Sequence, residues 1–192
     1  MHTKITKTLF LLSVLMSMGL SVVQSPALSQ EHTSIIPLEY LEKQAHRILD
    51  QWQKQTKMSR SELRNSLEET AKALEEKNYL VDTFLSPETI ERDYKLEYGN
   101  LLLLSGQYES AIEYISAGLK GEKSMEVKRN YFQMIAVACV ANHDAATACK
   151  YFEMANRASI QGKINAFPDR ELKDLWLGCT AFKDQMVSHR GE

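Results

Sequence analysis

The chain has 192 residues and a net charge of −2, from 23 Lys and Arg against 25 Asp and Glu. This near-neutral balance, without a concentrated basic patch, argues against nucleic acid as the main ligand. Four prolines and eight glycines among many Leu, Glu, Lys and Ala residues favour an all-α fold of one domain with its own core.

The first 29 residues have the pattern of a secretory signal peptide. A basic start with Lys4 and Lys7 precedes the apolar run Leu9–Leu20, and small residues follow up to Ser29. The run is shorter than the ~20 residues of a spanning helix, which disfavours the alternative of an uncleaved membrane anchor. We therefore expect cleavage after Ser29, a periplasmic or secreted protein of bacterial type, and no stable membrane insertion after cleavage.

Two helices are predicted after a disordered lead at residues 30–36. Pro37 suits the first turn of a helix, and apolar residues follow at three- and four-residue spacing from Leu38 to Trp52. Ser59 with Glu62 forms a capping-box pattern that begins the second helix. We predict that these two helices pack as an antiparallel hairpin and that the apolar segment 79–85 is an ordered connection.

Clear start and stop signals divide the rest of the chain into helices. Ser86 and Pro87 form a strong helix start, Gly106 and Gly121 are stops, and Asp144 is a good N-cap. The predicted helices cover about 87–104, 108–120, 125–141, 145–159 and 169–187. One helical domain is therefore expected over residues 37–187, followed by a flexible tail at 188–192.

The segment Tyr98–Leu119 consists of a helix, a glycine-centred turn and a second helix. Gly99 and Ala111 are small residues where the two helices must touch. A shift of 37 residues places Ala136 under Gly99 and Ala148 under Ala111, so the pattern occurs twice. This arrangement resembles the tetratricopeptide repeat (TPR), a helix-turn-helix unit that stacks with its neighbours.

The resemblance implies two repeat units, at about 92–121 and 129–158, in a short right-handed superhelix. The N-terminal hairpin would be either a diverged repeat or a cap at that end, and the helix 169–187 would cap the last apolar face. The second unit departs from the pattern, since His143 stands where a glycine is usual. A generic helical bundle is the alternative. The residues predicted to hold the repeats together are Gly99, Gly106, Tyr108, Ala111, Ala136, Ala148, Phe152 and Ala155.

TPR arrays bind other proteins, and the first helices of successive units line a concave groove. The resemblance therefore implies a peptide or helix of a partner protein as the ligand. The groove residues in this register are Asp93, Leu96, Asn100, Leu103, Asn130, Gln133, Val137 and Val140. The alternative for the leucines and valines is that they belong to the core.

Three cysteines follow the signal peptide, in a compartment where disulfides persist. A Cys149–Cys179 bridge would tie the terminal helix to the second unit, and a Cys139–Cys149 bridge is the next choice. Cys139 itself is expected to be buried and free. No spacing typical of a zinc or redox site occurs, so no metal is expected.

The sequence as a whole favours an exported scaffold or adaptor in a bacterial envelope or secretion-related assembly. No catalytic residue and no cofactor are expected, because nucleophile, phosphate-loop and metalloprotease motifs do not occur. Two alternatives stay open. One is a cell-wall enzyme that uses a lone glutamate such as Glu68 or Glu97, and the other is a self-assembling structural protein that forms homo-oligomers.

Overall fold

The computed structural model describes residues 36–79 and 85–188, of which residues 186–188 are described by their backbone only. All regular structure in this part of the chain is helical, which confirms the predicted all-α class. The helices are α1 (Leu38–Thr56), α2 (Arg60–Glu76), α3 (Pro87–Leu104), α4 (Tyr108–Gly118), α5 (Met125–Ala141), α6 (Ala145–Gly162) and α7 (Arg170–Ser188). The predicted signal peptide and most of the connection 79–85 lie outside the described residues.

None of these helices combines the length and the apolar character that crossing a bilayer requires.

Side-chain caps begin three of the helices where the sequence predicted them. Ser59 Oγ accepts from Glu62 N at 3.2 Å, and the Glu62 carboxylate accepts from Ser59 N at 2.9 Å, which completes the capping box of α2. Ser86 caps α3 and Asp144 caps α6 in the same way. Each cap satisfies backbone N–H groups that have no partner inside the helix. At the other end of α3, Gly106 has a φ of +82°, which terminates the helix at low cost.

The helices α3 and α4 form one closely packed pair, and α5 and α6 form a second. Gly99 explains the first approach, because a Cβ atom at this position would lie 2.5 Å from Ile115 Cγ1 and 2.9 Å from Ile115 N. Gly118 of α4 allows the same close approach from the other side, because a Cβ there would lie 2.7 Å from Leu96 Cγ of α3. The two pairs join through α4 and α5, and α7 packs on α6.

The first two helices do not form the predicted antiparallel hairpin. α1 packs across α5 and α7 with a smaller contact to α3, whereas α2 packs on α3. The apolar stripe of α1 is buried as predicted, with Leu41, Ala45, Ile48 and Leu49 all at most 6% exposed. Amphipathic spacing shows which face of a helix is buried but not which element covers it. This is why α2 was the wrong prediction for the helix that packs on α1.

Polar contacts along α1 define its course across the molecule. The Glu42 carboxylate lies 2.8 Å from His143 Nδ1, in the turn between α5 and α6. One turn further along, His46 Nδ1 lies 3.4 Å from the Tyr108 hydroxyl at the start of α4. In the opposite direction, Ile36 N donates to Gln185 Oε1 in α7. α1 therefore crosses the carboxyl-terminal ends of α3 and α5 and reaches α7.

Candidate binding surface

The residues predicted to pack the repeats are mostly buried where α3 meets α4 and α5 meets α6. Ala111, Ala136, Ala148, Phe152 and Ala155 are each 0% exposed. Tyr108 is partly exposed and contacts His46 of α1. The small residues at these positions therefore serve close packing between helices.

Six of the eight predicted groove residues are buried. Asn100 is 4% exposed, and Leu96, Leu103, Gln133, Val137 and Val140 are each at most 2% exposed. The four leucines and valines belong to the same apolar core as the buried face of α1, which corrects their assignment to an open groove. Asp93 and Asn130 are partly exposed.

The contacts of Leu96 and Gln133 explain why the repeat alignment assigned these two residues to the groove wrongly. Leu96 packs against Gly118 of α4 and therefore lies inside the first helix pair. Gln133 donates from Nε2 to the Ala166 carbonyl at 2.6 Å, below the loop that leads to α7. Its Oε1 atom is buried without a hydrogen-bond partner among the described residues. Neither side chain is available to a ligand.

What remains is a group of polar side chains near the middle of α3 and in the amino-terminal half of α5, away from the ends that α1 crosses. We call it the α3–α5 surface and define it by Asp93, Glu97, Asn130 and Tyr131. α3 and α5 do not pack along each other, although both adjoin α4.

An arginine and two carboxylates form the rim of the α3–α5 surface. Arg92 Nη2 lies 2.8 Å from Asp93 Oδ1, and Arg92 Nη1 lies 3.4 Å from Glu122 Oε2. Glu122 also accepts hydrogen bonds from the backbone N–H groups of Lys123 and Ser124, which holds the loop before α5. The guanidinium of Arg92 is therefore already engaged by two carboxylates.

Asn130 is held by its neighbour in the chain. Arg129 donates from Nε and Nη2 to Asn130 Oδ1 at 2.9 and 2.7 Å, and from Nη1 to the Asn165 carbonyl at 2.8 Å. This anchors the loop before α7 to α5 through Arg129, a residue that is only 5% exposed. The Asn130 side chain is thereby held in one orientation by Arg129.

Glu97 lies one helical turn after Asp93 and is 7% exposed. Burial, followed by the nearby charge of Asp93, raises the pKa of Glu97 to about 7. Within the described part of the chain, no group donates a hydrogen bond to its carboxyl and no cation forms an ion pair with it. Glu68, the other glutamate singled out from the sequence, is exposed and pairs with Arg64 at 3.2 Å.

Tyr131 lies on α5 and is influenced by the charge of the same carboxylates. Its side chain is 9% exposed, and burial raises the pKa of its hydroxyl above the ordinary value, with further contributions from Glu97, Asp93 and Glu122. The hydroxyl is therefore neutral at ordinary pH. Among the described residues it has no hydrogen-bond partner.

All three cysteines are buried and free, so the predicted Cys149–Cys179 bridge is not formed. The structure does bring these two residues together, since Cys149 Sγ donates to the Cys179 carbonyl at 2.9 Å. Cys139 is buried and free, as expected from its place on α5. Burial, followed by the charge of Asp144, raises the pKa of Cys139 to about 12.

The part of the chain that the structure describes contains no group of three or more His, Cys, Asp or Glu side chains arranged to hold a metal ion.

Sequence reasoning missed Tyr131, Arg92 and Glu122 as residues of this surface. Tyr131 occurs in a helix rich in apolar residues, where an aromatic side chain is more often part of the core. The pair Asp93 and Glu97 carried a usable signal, because two carboxylates four residues apart repel each other on one helix face. Such pairs also occur on solvated faces, so the spacing alone could not reveal the burial.

Comparisons with protein-family models, with curated proteins and with solved structures found no match to this chain.

Proposed function

We propose that this protein is an exported, TPR-like scaffold that binds a peptide or helix of a partner protein, in a bacterial envelope or secretion-related assembly. The helix pairs α3–α4 and α5–α6 would be its repeat units. Export is proposed from the signal-peptide pattern of residues 1–29, and the repeat assignment from the spacing of Gly99, Ala111, Ala136 and Ala148.

One observation carries the proposal. The helices α5 and α7, with a smaller contribution from α3, accept the amphipathic helix α1, which crosses the carboxyl-terminal ends of α3 and α5. α1 buries Leu41, Ala45, Ile48 and Leu49 there and contributes polar contacts through Glu42 and His46. The α1 face shows that these helices can hold an amphipathic helix, and we infer that a neighbouring surface of α3 and α5 holds a segment of another protein. The partner would use the part of the α3–α5 surface around Asp93 and Asn130, which are partly exposed.

The test is affinity capture from envelope extract with the chain from Gln30. The site variant is Asp93→Ala/Asn130→Ala, which changes the two predicted groove residues that are partly exposed. The control is Lys150→Ala/Arg157→Ala, which changes two exposed residues of α6. We expect one partner to be retained by the wild type and the control and reduced at least tenfold by the site variant. Equal capture by all three would overturn the proposal.

A second candidate function, a cell-wall hydrolase, is favoured by one observation. A carboxyl that is buried and has its pKa raised to about 7 is suited to act as a general acid. If this candidate is right, the wild type releases soluble fragments from purified peptidoglycan and Glu97→Gln does not. Glu113→Gln, at an exposed position of α4, is the matched control. No release by the wild type would leave the scaffold as the better proposal.

A further inference from the structure

The helix α1 is bound to elements that are distant in the chain and hardly at all to the helix that follows it. It packs on α5 and α7, with a smaller contact to α3, and its apolar stripe from Leu41 to Leu49 is buried there. Glu42 also pairs with His143 at 2.8 Å. α2 packs on α3 instead of on α1. Few contacts besides the turn at residues 57–59 therefore connect α1 to α2.

The turn between α1 and α2 consists of Lys57, Met58 and Ser59. It contains neither glycine nor proline, so its sequence is compatible with a helix. Lys57 redirects the chain with a φ of +54°, a left-handed conformation that is unfavourable for a residue with a side chain. The capping box of Ser59, by contrast, favours a new helix that begins here. The turn is thus a balance between one disfavoured residue and one favourable cap.

The apolar faces of α1 and α2 continue each other across this turn. Trp52 of α1 and Leu63 of α2 are eleven residues apart, which is about three turns of an α-helix. With residues 57–59 in a helical conformation, both stripes would lie on one side of a single helix over residues 38–76. The residues of this combined stripe are Leu41, Ala45, Ile48, Trp52, Leu63, Leu67, Thr70 and Leu74.

We propose that two copies of this chain form a dimer by exchanging α1, so that α1 of each copy packs on α5 and α7 of the other. In the dimer the turn at residues 57–59 becomes helical. One long helix then buries its α2 part on its own α3 and its α1 part on the second copy. The contacts of α1 are kept, because each copy offers the other the same face. The inference goes beyond the proposed scaffold function and does not depend on it.

The face that α1 covers indicates a second copy as the occupant. A Cβ atom at Gly178 of α7 would lie 2.6 Å from Leu41 Cδ2, so α1 and α7 approach closely. At the edge of this face, His143 is the polar partner of Glu42. A second copy supplies a helix of identical sequence, which satisfies the close approach and the polar contact without new packing. The monomer and the exchanged dimer therefore differ chiefly in the turn at residues 57–59.

Sedimentation of the chain from Gln30 tests whether the dimer forms. Because α1 must leave its own chain before it can be exchanged, concentrated protein is incubated in urea below the unfolding midpoint and then returned to buffer. We expect a dimer whose fraction rises with the protein concentration during this incubation. After dilution it should return to the monomer slowly, since both α1 helices must again be released.

Two substitutions in the turn should shift this equilibrium in opposite directions. Ser59→Ala removes a cap that the separate α2 needs and a continuous helix does not, so the association constant should rise at least tenfold. Lys57→Gly favours the left-handed turn and disfavours the helix, so the constant should fall at least tenfold. The matched controls are Ser124→Ala, at the cap of α5, and Lys163→Gly, at a φ of +53° after α6. Each control should change the constant less than threefold.

A disulfide cross-link identifies the chain that supplies α1. Glu42→Cys/His143→Cys places two thiols where Glu42 Oε1 and His143 Nδ1 are 2.8 Å apart. After mild oxidation, this disulfide should lie within one chain in the monomer and between two chains in the dimer. A denaturing gel without reductant distinguishes the two products. The single variants Glu42→Cys and His143→Cys control for cross-links through one introduced thiol.

The inference is overturned if neither the wild type nor Ser59→Ala forms a dimer. It is also overturned if the dimer of Glu42→Cys/His143→Cys has its disulfide within each chain, because the copies would then meet through another surface. These outcomes are independent of the capture experiment, in which the site variant changes Asp93 and Asn130 and leaves α1 unaltered.

Discussion

Burial of the Glu97 carboxyl couples its protonation to the stability of the fold. Its pKa is raised from 4.5 to about 7, so the folded state holds a proton that the unfolded state has already released in this pH window. Below pH 4.5 both states are protonated and burial of the neutral group has no electrostatic cost. As pH rises through 7, stability is lost, up to about 3 kcal/mol.

We therefore predict that Glu97→Gln is more stable than the wild type at pH 8 and nearly equal to it at pH 5. The difference between the two proteins should grow by about 2–3 kcal/mol over this range. Urea unfolding at both pH values measures it. The control variant Glu113→Gln should have the same free energy of unfolding as the wild type at both pH values. Parallel curves for the wild type and Glu97→Gln would show that the carboxyl is not buried as described.

The cysteines give a second prediction at the scale of single residues. Cys139, Cys149 and Cys179 are each at most 2% exposed, and the raised pKa of Cys139 suppresses its reactive thiolate further. The native protein should react slowly with a thiol reagent, and three thiols per chain should react after unfolding without reductant. A single reactive thiol after unfolding would reveal a disulfide that the structure lacks.

At the scale of the helices, the starts and stops were predictable because their causes are local. Ser59, Ser86 and Asp144 each accept from a backbone N–H three residues further on, and sequence spacing contains that information. The small residues that bring α3 and α4 together were predictable for the same reason. The binding surface was less predictable than the helix boundaries, since only Asp93 and Asn130 of the eight expected groove residues are partly exposed.

Two helical glycines offer a matched test of helix packing. A Cβ at Gly99 would meet the backbone of Ile115 at 2.9 Å, whereas a Cβ at Gly178 would meet only the end of the Leu41 side chain. Gly99→Ala should therefore destabilise the protein by roughly 1–3 kcal/mol. Gly178→Ala should stay within about 1 kcal/mol of the wild type, because alanine's helix propensity offsets a small adjustment.

Chemical unfolding of both variants measures this difference. If Gly99→Ala costs no more than Gly178→Ala, then α3 and α4 do not approach as closely as described.

At the scale of the whole molecule, the placement of α1 was the main feature that the sequence did not reveal. The stripe from Leu41 to Leu49 fits any apolar face of the right length, and the neighbouring helix α2 was the simplest partner by proximity. α5 and α7 offer a larger apolar surface, which includes Val140, Leu172 and Leu175. Burial against the larger surface prevails over nearness in the chain.

A substitution on the buried face of α1 should therefore destabilise α5 and α7, which lie far from it in the sequence. Ile48→Asp places a charge at a position that is 1% exposed and should cost about 3–5 kcal/mol. Arg47→Asp, at the exposed neighbouring position, should cost little. Amide hydrogen exchange should show lost protection in α5 and α7 for Ile48→Asp. Loss confined to α1 and α2 would contradict the packing described.

The course of α1 also affects how the molecule unfolds. Linear arrays of helix pairs, in which each unit contacts only its neighbours, can lose structure from one end while the rest persists. Here Ile36 is hydrogen-bonded to Gln185, and a single helix contacts α3, α5 and α7 together. Fraying at either end thus removes contacts from the middle. Calorimetric and van't Hoff enthalpies should coincide, as for an all-or-none transition.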